Sequence, residues 1–448
     1  MAQVSVSSII DRSMSMPSYH YLEPAKTDAA TFVSIMHEAD QIGLVAIDQT
    51  SPVLYNLTTL DANHTTIRAA LAVISAIQGQ GNTNMKNAVT NSHAMLGSAT
   101  NSAKAIIMLS DGEYNTGGDP LVGLPTDIPI YTIALGQSAG IQTLQTIASR
   151  TSGKYYYSPD AFELAAIYNQ IANDAHVAQV SLNKRQQLPS YQFSSFPLQV
   201  AANTSHISLA VNWLNSAINY TPGTPGVNQM TVMLRDPNNQ KVDPPPTFSG
   251  GEFVTFHLHD PAPGQWTVGC WCGNVPNNLF QGTMGGFEPT STTALAFNAP
   301  QSSYGKGDPI VLGARLETNG RALSHLHVQA HTDSPSFSTA EILQRHAKRL
   351  KAITLDAKLR DDSVDEIRAK LTTLHRELLG RENIFARKRA PIDCTGQIDR
   401  DGAPGITLPP FTLDTAGEHS VILDVAGRYA DCGSDFTRCQ RVSLSVTG

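Results

Sequence analysis

Long apolar runs are missing from this chain of 448 residues. No stretch approaches the roughly 20 residues that a membrane-spanning helix needs, so no span is expected. The first residues have no basic start followed by an apolar stretch, and they run straight into a strand pattern, so no signal peptide is read. A full-length chain would then be cytoplasmic, whereas loss of a leader would place it outside the cell or on its surface. A basic excess is missing too. The net charge of -7 argues against a nucleic-acid binder, which shows a clustered basic surface. Cysteine is absent before position 270, and the five present are Cys270, Cys272, Cys394, Cys432 and Cys439. Cys432 and Cys439 flank a turn between two short strand patterns. A disulfide across that hairpin would suit an exported protein, whereas a cytosolic one would keep both thiols reduced. Cys270-x-Cys272 is too tight for the usual zinc knuckle. Also missing are a phosphate-binding glycine loop, a nucleophile elbow and a His-Glu-x-x-His helix. The chain is therefore not expected to be an enzyme; metal-assisted hydrolysis, with Asp11, Asp111 or Glu113 as the nearby base, is the minor alternative.

What is present is the composition of a folded protein, 41% hydrophobic and 15% charged, with length for several cores. Residues 1–177 alternate short apolar runs ("QVSVSSII", "IGLVAI", "AKAIIMLS", "IPIYTIAL") with helical patterns ("HTTIRAALAVISAI", "NMKNAVTNSHAML", "AFELAAIYNQIAND"). Strand–helix alternation predicts an α/β doubly wound, Rossmann-like open sheet with helices on both faces. After residue 178 short alternating runs take over, punctuated by Pro, Gly and Asn, as in antiparallel sandwiches. The expectation is two β-sandwich domains of Ig-like or jelly-roll-like type, at 178–290 and 291–448. The second is interrupted at about 336–388 by a helical hairpin, in which 13 Lys and Arg face 8 Asp and Glu across residues 338–390. Ser338-x-x-Glu341 and Ser363-x-x-Glu366 read as capping boxes at its two helix starts. Val364, Ile367, Leu371, Leu374 and Leu378 form a seam, so the hairpin is expected to project from the sandwich, its basic residues solvated. His257-x-His259 and His325-x-His327 with His331 fall on the polar parity of their strands, and they are expected to face water rather than to bind zinc.

The chemistry gathers at strand ends. "VSVSSIIDRSMSM" releases Asp11, Ser13 and Ser15 on alternate residues where a buried strand stops. "GQGNTNMKNA" places Thr83 in a glycine-flanked loop before a helix, and "AIIMLSDGEYNTGG" places Asp111 directly after another buried strand. In a doubly wound sheet these three loops share the carboxyl edge, where ligands bind. Five oxygens without sulfur or imidazole suit a hard cation: Mg2+, Mn2+ or Ca2+. Two carboxylates and three hydroxyls leave such an ion electrophilic, ready to take a carboxylate from a partner.

These residues resemble the metal-ion-dependent adhesion site of the von Willebrand factor A family over residues 3–177. "DQIGLVAIDQTSPVL", "IPIYTIALG" and "IASRTSGKYYYSPDAFELAAIYNQI" match its remaining landmarks. The resemblance implies a metal site at Asp11, Ser13, Ser15, Thr83 and Asp111, the hydroxyls binding directly and the aspartates often through water. Met14 and Asn82 stand where the family usually has Gly; with Glu113 they are candidates for the rim that touches a ligand. "PAPGQWTV", "YGKGDPIVLGARLETNGRAL" and "AGEHSVILDVAGRYADCGSDFTRCQRVSLSV" are similar to modules that follow this domain in bacterial proteins and in calcium-activated chloride channel regulators. The expected function is metal-dependent, adhesion-type binding of a protein bearing an exposed Asp or Glu. The alternative is an intracellular assembly factor using the same clasp.

Overall fold

The computed structural model describes residues 3–136, 140–159, 161–213, 215–275, 281–288, 293–355, 366–378, 382 and 384–448. The amino-terminal part is one six-stranded sheet. Its strands are β1 (Val4–Asp11), β2 (Gln41–Ile47), β3 (Val53–Thr59), β4 (Ala103–Ser110), β5 (Ile130–Leu135) and β6 (Tyr155–Ser158), in the spatial order β3-β2-β1-β4-β5-β6. All neighbours are parallel except β3, which runs antiparallel to β2. The helices are α1 (Ser15–Ser18), α2 (Leu22–Ser34), α3 (Thr65–Ser75), α4 (Met85–Leu96), α5 (Ile141–Arg150) and α6 (Leu164–Asp174). Apolar residues of α2, α3 and α6 form a cluster on one face of the sheet, and those of α4 and α5 a second cluster on the other. Every residue of β1 is buried. This is the doubly wound α/β layer that the strand–helix alternation predicts. The chain winds outward from β1 through β2 to β3, then returns to lay β4 on the far side of β1. The order therefore reverses between β1 and β4, and their carboxyl ends form the crevice of the sheet.

Many β-strands follow. The strands Phe248–Ser249, Phe253–His259, His206–Trp213, Gln281–Glu288 and Gln179–Gln187 form one sheet, in that order. Asn219–Tyr220, Gln229–Arg235, Gly264–Cys272 and Phe193–Val200 form another, with Lys241–Val242 paired to its Gln229–Arg235 strand. The inward parity of both sheets, from Ile207, Leu209, Val211 and Trp213 to Val232, Trp266 and Val268, fills one apolar cluster. A five-stranded sheet built on the long strands Leu323–Pro335, Gly417–Tyr429 and Asp435–Thr447 closes the chain, with its own cluster around Phe297, Val421, Leu423 and Phe436.

The helical insertion departs from its expected form. It leaves and re-enters between two paired strands, with Pro335 opposite Arg387. The Ser338–Glu341 capping box forms as expected; Ser363, Val364 and the turn between the helices lie outside the described residues. The helices Thr339–Arg345, Ala347–Ala352 and Glu366–Leu378 do not project freely. Leu350, Leu371, Leu374 and Leu378 are buried, in the same cluster as α2 and α6, while Ile367 is 51% exposed. Phe337 and Ile342 share a cleft with Ile141 of α5 and Tyr157 of β6. The insertion is therefore docked onto the α/β layer through Phe337 and Ile342, while its seam helix Glu366–Leu378 packs on Ala347–Ala352. No helix among the described residues is long and apolar enough to cross a membrane.

Candidate metal centre

The oxygens singled out in the sequence meet in the crevice between β1 and β4. Asp11, Ser13 and Asp111 are fully buried; Ser15 and Thr83 are nearly so. The Ser13 and Ser15 hydroxyls stand 3.0 Å apart, and Ser15 Oγ donates to Asp111 Oδ1 at 2.8 Å. Asp11 turns back on its own loop: Oδ1 accepts from Ser13 N at 2.8 Å, and Oδ2 from Ser110 Oγ at 2.6 Å. A Cβ built on Gly112 would stand 4.0 Å from Thr83 Oγ1, so the third hydroxyl faces the residue that follows Asp111.

Backbone contacts hold the loops together. Met14 N donates to Gly81 O at 3.2 Å, and Gln80 N to Arg12 O at 2.7 Å. Thr83 N donates to Asn115 Oδ1, and Asn115 N returns a bond to Thr83 O. Gly81 and Gly117 have positive φ, and a Cβ on Gly117 would fall 1.9 Å from Asn84 Oδ1, so that turn admits only glycine. Met14 needs no such freedom. Its backbone is ordinary right-handed helix (φ -63, ψ -18), so a side chain is accommodated where the related family usually has none. Met14 is half-buried, and Asn82 and Glu113 are exposed.

Sequence reasoning missed the residue that ties the loops. Asp48 follows β2, and its Oδ2 accepts from Arg12 Nε at 2.9 Å, Arg12 Nη2 at 2.5 Å and Gln80 Nε2 at 3.0 Å. Oδ1 accepts from the N–H groups of Thr50 and Ser51. Burial alone would raise the Asp48 pKa. The bonds from Thr50, Arg12, Gln80 and Ser51 outweigh burial and bring it to about 2. The signal was available: an acid placed directly after the buried run "IGLVAI" occupies the same edge as Asp11 and Asp111. Loops aimed by such partners lose ligand affinity when the partner is removed. Asp48→Ala is therefore expected to weaken Mg2+ binding by about 10–100-fold while far-UV circular dichroism stays unchanged. Equal Mg2+ affinities by calorimetry would exclude this role.

The donor set fits a hard divalent cation. It contains only oxygens, drawn from three loops, with no imidazole or thiolate. It holds just two carboxylates; among the described residues no group of three or more His, Cys, Asp or Glu side chains is placed to hold a metal ion by itself. Any cation bound here would thus rely on the hydroxyls of Ser13, Ser15 and Thr83.

Residues 6–170 match the model of the von Willebrand factor type A domain family. This part of the chain is a von Willebrand factor type A domain. No curated protein matches the chain. Among solved structures it is similar to a von Willebrand factor type A protein from Catenulispora acidiphila, at 16% identity and a TM-score of 0.36, over 64% of each chain. Proximal thread matrix protein 1 from the mussel byssus, solved with a zinc-occupied MIDAS motif, is 17% identical with a TM-score of 0.34, over 42% of this chain and 51% of that one. The vWF domain of the pilus tip protein Mfa5 from Porphyromonas gingivalis is 16% identical with a TM-score of 0.31, over 38% of this chain and 94% of that one. The chain thus spans less than two thirds of the length of the first two.

Outside the von Willebrand factor type A domain, two expectations change. All five cysteines are free. Cys432 lies exposed in the turn, whereas Cys439 is buried well down the hairpin, opposite Asp424, so the Cys432–Cys439 disulfide is not made. His325 and His327 face water as expected, but His257 does not. Its ring lies against the carboxyl end of α2, with Nε2 2.8 Å from Ser34 O.

Proposed function

We propose that this protein binds a partner protein through a divalent cation held by Asp11, Ser13, Ser15, Thr83 and Asp111, and that it is not an enzyme. The observation that carries the reading is the meeting of three hydroxyls and two buried carboxylates from separate loops at the point where the strand order reverses. When bound, the cation supplies a positive centre with room for an outside oxygen, most simply an Asp or Glu of the partner. The chain's own residues do the rest. Ser13 and Ser15 present hydroxyls from the first loop, and the Asp11 bonds to Ser13 N and Ser110 hold that loop in shape. Arg12 and Gln80, fastened to Asp48, keep the first and second loops in step. Exposed Asn82 and Glu113, with half-buried Met14, form the rim that reads the partner's surface. Mg2+ is the expected ion, with Ca2+ and Mn2+ as the alternatives of the same oxygen-seeking class.

The test is a pull-down from native extract with the full chain in Mg2+ and in chelator, beside Asp11→Ala in Mg2+. A partner captured only by the unaltered protein in Mg2+ supports the clasp. The same proteins in all three samples would remove it.

A further inference from the structure

The outer face of the first sheet after the α/β layer is covered rather than solvated. Along His206–Trp213 the parity that points away from the sheet-to-sheet core is Ser208, Ala210 and Asn212, all buried. Helix α2 lies across it. Asn212 Nδ2 donates to Asp28 Oδ1 and Thr31 Oγ1, and the hydroxyls of Ser34 and Thr255 stand 2.7 Å apart. At the end of this contact five histidines from four segments come together. His206 Nε2 is 3.1 Å from His37 Nδ1, and their rings lie 4.3 Å apart edge to face. His257 packs its ring edge against His64 at 5.5 Å and against Phe248 at 5.6 Å; His259 lies 6.3 Å from His206. Their nitrogens do not converge as a metal would require. Among the described residues no carboxylate is hydrogen-bonded to these rings, and a cluster of imidazoles without one tolerates little positive charge.

We propose that His37, His64, His206 and His257 form a pH-operated latch between the von Willebrand factor type A domain and the sheet that follows it, closed while the rings are neutral and loosened when they take up protons. Burial, then the neighbouring imidazoles, lowers the pKa of His37 to about 3. Burial likewise brings His257 to about 4, against the bond to Ser34, and lowers His206 and His64. A released ring returns toward 6.5. The latch contribution is therefore whole above about pH 6.5 and declines as the pH falls toward the docked values, because the open state then binds more protons.

The other charged groups facing the cluster are Arg68, which opposes a charge on His64, and Asp61, which favours one. Asp28 and Glu252, raised by burial and by each other or by Glu23, favour closure as they protonate and so work against the histidines. Asp40, raised to about 6 by burial, bonds to the N–H groups of Val4 and His37 inside the α/β layer. Four rings against two interfacial acids give a net opening in acid.

Hydrogen exchange of the full chain, corrected for intrinsic rates, tests the latch. Between about pH 7.5 and about pH 5, protection at 31–37, 206–212 and 253–258 should fall at least about tenfold, the effect of one pKa unit, while 103–110 in β4 stays protected. Asp28→Asn removes an opposing acid and should steepen the loss. His37→Gln with His206→Gln should flatten it, and His93→Gln, on an exposed ring of α4, should not change it. Ring titrations followed by NMR in the unaltered protein keep the test open if a variant fails to fold. Unchanged protection at the three segments, or all four rings titrating near 6.5 with the contact intact, would overturn the proposal.

Discussion

Arg438→Met is expected to lower the stability of the first pair of sheets by about 3–5 kcal/mol, the usual result of leaving one charge of a buried pair without its partner. Arg438 and Glu288 each have a side chain only 1% exposed, and Arg438 Nη2 stands 3.1 Å from Glu288 Oε2. Arg438 also donates through Nε to Thr293 O and through Nη1 to Ser181 Oγ, while Ser181 itself donates to Glu288 Oε1. The pair fastens Asp435–Thr447, near the end of the chain, to Gln179–Gln187 and Gln281–Glu288. Met restores the volume but not the charge, and Glu288 is left buried without its counter-ion. The double variant Arg438→Met, Glu288→Leu is expected to recover much of the loss, because a buried ion pair replaced as a whole by apolar groups is often neutral or better. Urea unfolding followed by tryptophan fluorescence is the direct readout, since Trp213, Trp266 and Trp271 all lie in that pair of sheets. A single variant as stable as the unaltered chain would mean that the pair contributes nothing to joining the layers.

If the proposed clasp holds Mg2+, Mg2+ is expected to raise the melting temperature of the unaltered protein, and Asp111→Asn is expected to abolish that rise. Binding to the folded state adds RT ln(1 + [L]/Kd), about 2.7 kcal/mol when Mg2+ is 100-fold above Kd. Asn keeps an acceptor for Ser15 Oγ at nearly the same place, so the 2.8 Å bond and the loop shape survive. What it removes is one of the two charges that attract the cation. In chelator the variant should be as stable as the unaltered chain or more so, because a fully buried carboxylate costs desolvation that a neutral amide does not. This combination of lost response and retained stability separates a metal site from a set of turn caps. Equal Mg2+ shifts in both proteins would show that the cation binds elsewhere, and the clasp would lose its basis.

The candidate centre was legible because its parts are local. Asp11, Ser13 and Ser15 sit on one strand end. Thr83 and Asp111 each follow a pattern that marks a loop at the same edge, and strand–helix alternation brings such edges together. Asp48 was overlooked because its role is to receive Arg12 and Gln80 from other loops, which no run of residues around it announces. His257 was misread for a related reason, whereas His259, His325 and His327 are exposed as expected. Alternation in "EFVTFHLHDP" correctly turns His257 away from the core of its own pair of sheets. It says nothing about whether a helix some 220 residues earlier will cover that face. A hint lay in the small outward residues Ser208, Ala210 and Thr255, which suit close helix packing better than water.

What the sequence determined by itself was the layer order, the strand ends and the chemical kind of the oxygens released there. All of these follow from side-chain period and from residues a few positions apart. Only the tertiary structure decided which surfaces are shared: α2 against a distant sheet, the insertion against α5 and β6, Arg438 against Glu288, and Cys439 buried away from Cys432. The physical reason is that a periodic pattern reports how a segment meets its own sheet or helix partner. The burial of an outward face depends on the shape and charge of a surface built from elsewhere in the chain.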